Sequence, residues 1–104
     1  MKPEEIISWI FLALGISSKN EAVGYERISQ IADGINHAIP THKEIQFSIN
    51  WLISKNLVSK NDKKYSLSEN GKILFSKSEI KSQILLSLWK ELEHEIKLLN
   101  SDIA

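Results

Sequence analysis

The sequence predicts a mostly α domain with a minor β component, built as a three-helix core, a β-hairpin and a long C-terminal helix. Three observations carry this reading. A capped helix starts at Thr41 and delivers the chain at Leu57-Val58 into β-prone residues. An amphipathic segment precedes it and closes at Pro40. A stretch with two short β-prone arms, Ser59 to Leu67, follows it around a turn-forming Asn-Asp centre. A chain of 104 residues supports one core, not two lobes around a deep catalytic cleft.

Taken in order, Pro3 is tolerated in a first helical turn, and Glu4 and Glu5 suit the positive end of the helix dipole. Helix one is expected from Pro3 to about Leu14, with Gly15 as its stop. Apolar residues from Ile6 to Leu14 cover most of its circumference, so it should be wedged between other elements, a second subunit included. The same run is far short of the roughly twenty apolar residues that span a bilayer. Acidic residues also stand where a signal peptide carries positive charge, so no membrane partner is expected and a cytoplasmic location is the default. Ile16 to Gly24 reads as a polar loop. From Tyr25 onward Ile28, Ile31-Ala32, Ile35 and Ile39 recur at helical spacing and define helix two, with Ala38-Ile39-Pro40 as a short turn carrying an apolar plug.

Thr41 and Glu44 form a capping box for helix three, and Asn56 can adopt the left-handed conformation that ends it. With Ile45, Ile49, Leu52 and Asn56 as the inner side, Lys43, Phe47, Asn50, Trp51 and Ser54 turn outward, and His42 and Gln46 lie at the edges. In the hairpin, Tyr65 and Leu67 alternate with Lys64 and Ser66, so one face can pack while the other carries charge. Ser68 begins a short helix. Ser78 offers another N-cap, with Lys81 leaving its box incomplete. The last helix is expected from about Glu79 to Leu99, giving a division into residues 1–77 and a C-terminal segment 78–104.

Thirteen basic and thirteen acidic residues leave the chain formally neutral, which argues against a strong sequence-independent grip on polyanions. The distribution is uneven: only residues 41–79 have a basic excess, seven against four. Absence of cysteine excludes disulfides and thiolate metal sites. No Gly-rich phosphate loop or recognisable nucleophile motif is present, so neither an enzyme nor a cofactor is expected. Asp33 and His37 stand four apart with His42 beyond the turn, but polar pairs on a solvated helix face are commonplace, and no metal site is assigned.

The run Gly24-Tyr25-Glu26-Arg27-Ile28, the spacing of Ile49, Leu52, Asn56, Leu57 and Val58, and the stretch from Tyr65 to Lys72 resemble winged helix-turn-helix repressors of the MarR and PadR type. The resemblance covers roughly residues 5–77. It implies sequence-specific binding of double-stranded DNA, with helix three in the major groove and the hairpin as a wing against the backbone. Under it, His42, Lys43, Gln46, Phe47, Asn50 and Ser54 would face bases or phosphates, and Lys60, Lys63 and Lys64 would hold phosphates. It further implies a homodimer joined by Ile84, Leu85, Leu88, Trp89, Leu92, Ile96 and Leu99 of the last helix; the competing account is a monomer whose last helix folds back. Phe47 and Trp51 depart from the polar face such repressors present. Paired exposed aromatics more often mark a protein contact, so the alternative is a protein-interaction module without DNA binding.

Overall fold

The computed structural model describes residues 1–100. Among them the chain runs α1 (Pro3–Ser17), α2 (Tyr25–Asn36), α3 (His42–Ser54), β1 (Val58–Asn61), β2 (Lys64–Leu67), α4 (Glu69–Lys81) and α5 (Leu85–Asn100). Residues 101–104 of the expected C-terminal segment lie outside the described residues. The architecture is mostly helical with one small antiparallel sheet. No described helix is long and apolar enough to cross a membrane.

Helix α1 is the axis of the core. Its residues from Ile7 to Gly15 are all buried, and α2, α3, α4, α5 and β2 pack against it. An all-round apolar helix needs such company, since any face left open would hold apolar area in water at about 25 cal/mol per Å². The polar groups within it are matched. The Trp9 indole N–H donates to the Ala32 carbonyl at 2.9 Å, and the Trp89 indole N–H donates to the Ser8 hydroxyl at 3.0 Å. Ser8 in turn donates to the Glu5 carbonyl, so a fully buried hydroxyl remains satisfied. Gly15 does not stop this helix, which continues to Ser17. It instead makes room for Phe75 of α4: a Cβ there would lie 2.2 Å from the Phe75 ring.

Helix α2 ends earlier than its apolar periodicity implied. His37 takes a left-handed conformation at φ 54° and its N–H closes on the Asp33 carbonyl at 2.7 Å. Ile39 is consequently 74% exposed, and Pro40 is the buried residue of the turn. Helix α3 follows with both halves of its capping box made, Glu44 N–H to Thr41 Oγ1 at 3.1 Å and Thr41 N–H to Glu44 Oε1 at 2.8 Å. Its other end is a Schellman closure with asparagine in the usual glycine position. Asn56 sits at φ 62° and donates its N–H to the Ile53 carbonyl, while the Leu57 N–H reaches the Leu52 carbonyl at 2.9 Å. Asn56 is therefore an exposed cap, not an inner-face residue; Ser48 joins Ile45, Ile49 and Leu52 on the buried side.

The hairpin pairs Val58 with Leu67 and Asn61 with Lys64, leaving Asp62 and Lys63 as a two-residue turn with Asp62 at φ 60°. The turn thus lies one residue later than its Asn61-Asp62 composition indicated. Val23 bridges Tyr65 through reciprocal bonds of 2.9 and 2.7 Å, tying the free edge of β2 to the entry of α2. The return into α4 is equally tight. Ser68 caps the helix by accepting the Gly71 N–H at 3.1 Å, its own N–H donates to the Leu57 carbonyl, and a Cβ on Gly71 would fall 2.0 Å from that carbonyl oxygen.

Two expectations for the C-terminal part need correction. Helix α4 passes through Ser78, which is buried inside it, and the chain breaks at Ser82, whose backbone is extended. The division at residue 77 therefore falls within a helix. The second concerns the proposed subunit contacts. Leu88, Leu92 and Ile96 are buried against this chain's own core, and Trp89 stacks on Trp9 with ring centroids 6.2 Å apart. These side chains are occupied in the single chain because α1 presents apolar surface on the side that α2 and α3 leave open. Leu99 is also packed against the core, whereas Ile84 and Leu85 are exposed.

Candidate nucleic-acid interface

The outer face of α3 is a consequence of its inner one. Burial of Ile45, Ser48, Ile49 and Leu52 fixes the rotation of the helix, and His42, Lys43, Gln46, Phe47, Asn50 and Ser54 are left exposed. Ser54 turns its hydroxyl back to the Trp51 carbonyl at 2.6 Å, which lowers its availability to a ligand. The two aromatics of this helix separate. Phe47 is 51% exposed, whereas Trp51 is half-buried, packs against the core and carries Lys55 Nζ 5.7 Å above its ring.

Beside this face stands the hairpin, with Lys60, Lys63 and Lys64 exposed. Among the described residues the five ion pairs all lie elsewhere: Lys19 with Glu79, Lys72 with Glu69, Lys77 with Glu95, Lys81 with Glu91 and Lys97 with Glu93. Lys43 and the hairpin lysines take part in none. Glu44, the acidic residue nearest in sequence to Lys43, spends one carboxylate oxygen on the Thr41 N–H.

Where α2, α3 and the hairpin meet, Tyr25, His42, Lys60, Lys63 and Tyr65 line an open cleft. The Tyr25 ring lies 5.0 Å from that of His42 and 5.4 Å from that of Tyr65. Burial, reinforced by a hydrogen bond with the Tyr65 side chain, pushes the Tyr25 phenol up from 10.0 to about 12. Sequence reasoning gave Tyr25 and Tyr65 packing roles and missed their convergence on His42. The available signal was Val23, a β-prone residue closing a polar loop, whose pairing with Tyr65 draws the start of α2 to the hairpin.

His42, Lys43, Gln46, Phe47, Asn50, Ser54, Lys60, Lys63 and Lys64 are each exposed, and His42, Lys60 and Lys63 line one cleft. Comparison with protein families, with characterised proteins and with solved structures finds no match for this chain.

Proposed function

We propose that this chain is a winged helix-turn-helix regulator that binds double-stranded DNA, with α3 as the recognition helix and the β1–β2 hairpin as the wing. The observation that carries the reading is the set of exposed lysines, Lys43, Lys60, Lys63 and Lys64, without ion pairs among the described residues, together with exposed Gln46 and Asn50 on α3. Lysines of this kind hold phosphates and set register, whereas amide side chains can pair with adenine edges in a major groove. Binding involves no chemical step. It would act by occupying a promoter, and two copies would place their third helices about 34 Å apart on successive turns of a palindromic site. Exposed apolar side chains available for that pairing include Ile84, just before α5, and Leu85 and Leu86 in its first turn.

The test is duplex affinity as a function of salt. Binding should weaken linearly in log–log form, and Lys60→Ala with Lys64→Ala should reduce the slope by about one unit per lost contact. Absence of affinity for any duplex at low salt sinks the proposal. A second reading, docking of a protein partner, rests on the exposure of Phe47. Partial burial of Trp51 removes half of the aromatic pair that first favoured it. Phe47→Ala abolishing a protein association while duplex binding is absent would select that reading.

A further inference from the structure

We propose that the cleft between the start of α2, the start of α3 and the hairpin is a discrete seat for one phosphate group, formed by Lys60, Lys63, His42 and the phenols of Tyr25 and Tyr65. Three features on three elements converge there. Lys60 in β1 and Lys63 in the turn bring positive charge to the rim, and among the described residues neither belongs to an ion pair. His42 leans its ring on Tyr25 and thereby lies beside the lysines, not out along the helix face. Tyr25 and Tyr65, with ring centroids 5.4 Å apart, both line the cleft and bring phenols able to donate a hydrogen bond to it.

The Val23–Tyr65 bridge ties the start of α2 to the hairpin, which brings Tyr25 beside Tyr65 and the hairpin lysines at the cleft. Point cations with phenolic donors suit a tetrahedral oxyanion better than a planar base. The phosphate can come from a nucleic-acid backbone or from free phosphate. In the first case this inference rests on the DNA-binding reading and adds Tyr25 and Tyr65 to the phosphate contacts implied by the wing.

The two sources separate experimentally. Inorganic phosphate is titrated into the isotope-labelled full chain at constant ionic strength against chloride, following the backbone amides of Gly24, Tyr25, His42 and Lys63. Saturable shifts confined to these residues are expected. The Lys60→Ala, Lys63→Ala double variant should weaken them roughly tenfold, whereas Lys77→Ala on α4 should leave them intact. Tyr25→Phe keeps the ring and removes the hydroxyl; if it fails to fold, the exposed lysine pair decides alone. A parallel duplex titration should lose about one unit of salt slope when Lys63 is replaced. Phosphate shifts no larger than those from chloride, together with duplex binding indifferent to Lys63 and Tyr25, would falsify the seat while leaving DNA binding by α3 standing. Saturable phosphate binding without duplex affinity would support the seat and overturn the DNA reading.

Discussion

Lys43, Lys60, Lys63 and Lys64 of α3 and the hairpin and Lys72, Lys77, Lys81 and Lys97 of α4 and α5 are exposed copies of the same side chain in opposite company. On α4 and α5, Lys72, Lys77, Lys81 and Lys97 each reach a glutamate within 4 Å, two of them across the helix pair and two within a single helix. Among the described residues, Lys43, Lys60, Lys63 and Lys64 have no such neighbour. A chain with zero formal charge can therefore carry an uneven charge distribution, since residues 41–79 hold seven basic against four acidic residues. Net charge describes solubility and long-range steering; the local pairing decides which face an anion meets.

The largest difference between the regions should appear in stability. Leu92 of α5 is fully buried, and Leu92→Ala should cost about 2–5 kcal/mol in urea unfolding, while Phe47→Ala on the outer face of α3 should stay within about 0.5 kcal/mol. Equal losses would mean that the two faces are not structural and free, as described. Next comes the return from the hairpin. Gly71→Ala forces a Cβ onto the Leu57 carbonyl and should destabilise by about 1–3 kcal/mol, measurable as a lowered melting temperature.

Thr41→Ala removes the hydroxyl that accepts the Glu44 N–H and should cost about 1 kcal/mol, with helix loss confined to the first turn of α3 in amide exchange. Smaller still is the effect of breaking surface pairs: Lys77→Ala or Lys81→Ala should change stability by no more than about 1 kcal/mol and fade with added salt. An effect surviving in high salt would show that these pairs matter beyond charge. Finally, spectrophotometric titration should show one of the two tyrosines ionising late, near pH 12. The sign follows from the raised phenol: Tyr25 contributes its stabilisation in full below pH 10, and that contribution is lost as pH rises from 10 through about 12. Normal ionisation of both would contradict the buried Tyr25–Tyr65 contact.

Much of the local structure was legible from residue order alone. The Thr41–Glu44 box, the left-handed Asn56 and the alternation of Tyr65 and Leu67 express interactions within one turn or one strand, so neighbouring residues suffice to specify them. The exposed set on α3 was legible for the same reason, since helical geometry links each outward position to an inward one three or four residues away. What periodicity could not supply was the partner of an apolar face. Leu88, Leu92 and Ile96 form the same stripe whether they meet a second subunit or α1, and only the fold places them in the core. Likewise Gly15 reads as a stop until Phe75 lies against it, and Ser78 reads as a cap until α4 runs through it.

The amino-acid sequence by itself determined the start and end of α3, the hairpin that follows it, and that Lys43, Phe47, Asn50 and Ser54 of that helix face outward. Tertiary structure alone decided that Trp51 is drawn toward the core while Phe47 is not, that α5 closes on its own chain, and that Tyr25, His42 and Tyr65 share one cleft. Caps and turns are set by bonds spanning three to five residues. The contacts that separate a core face from a docking face join distant segments, as Trp9 does with Ala32 and Trp89 with Ser8 across 23 and 81 positions.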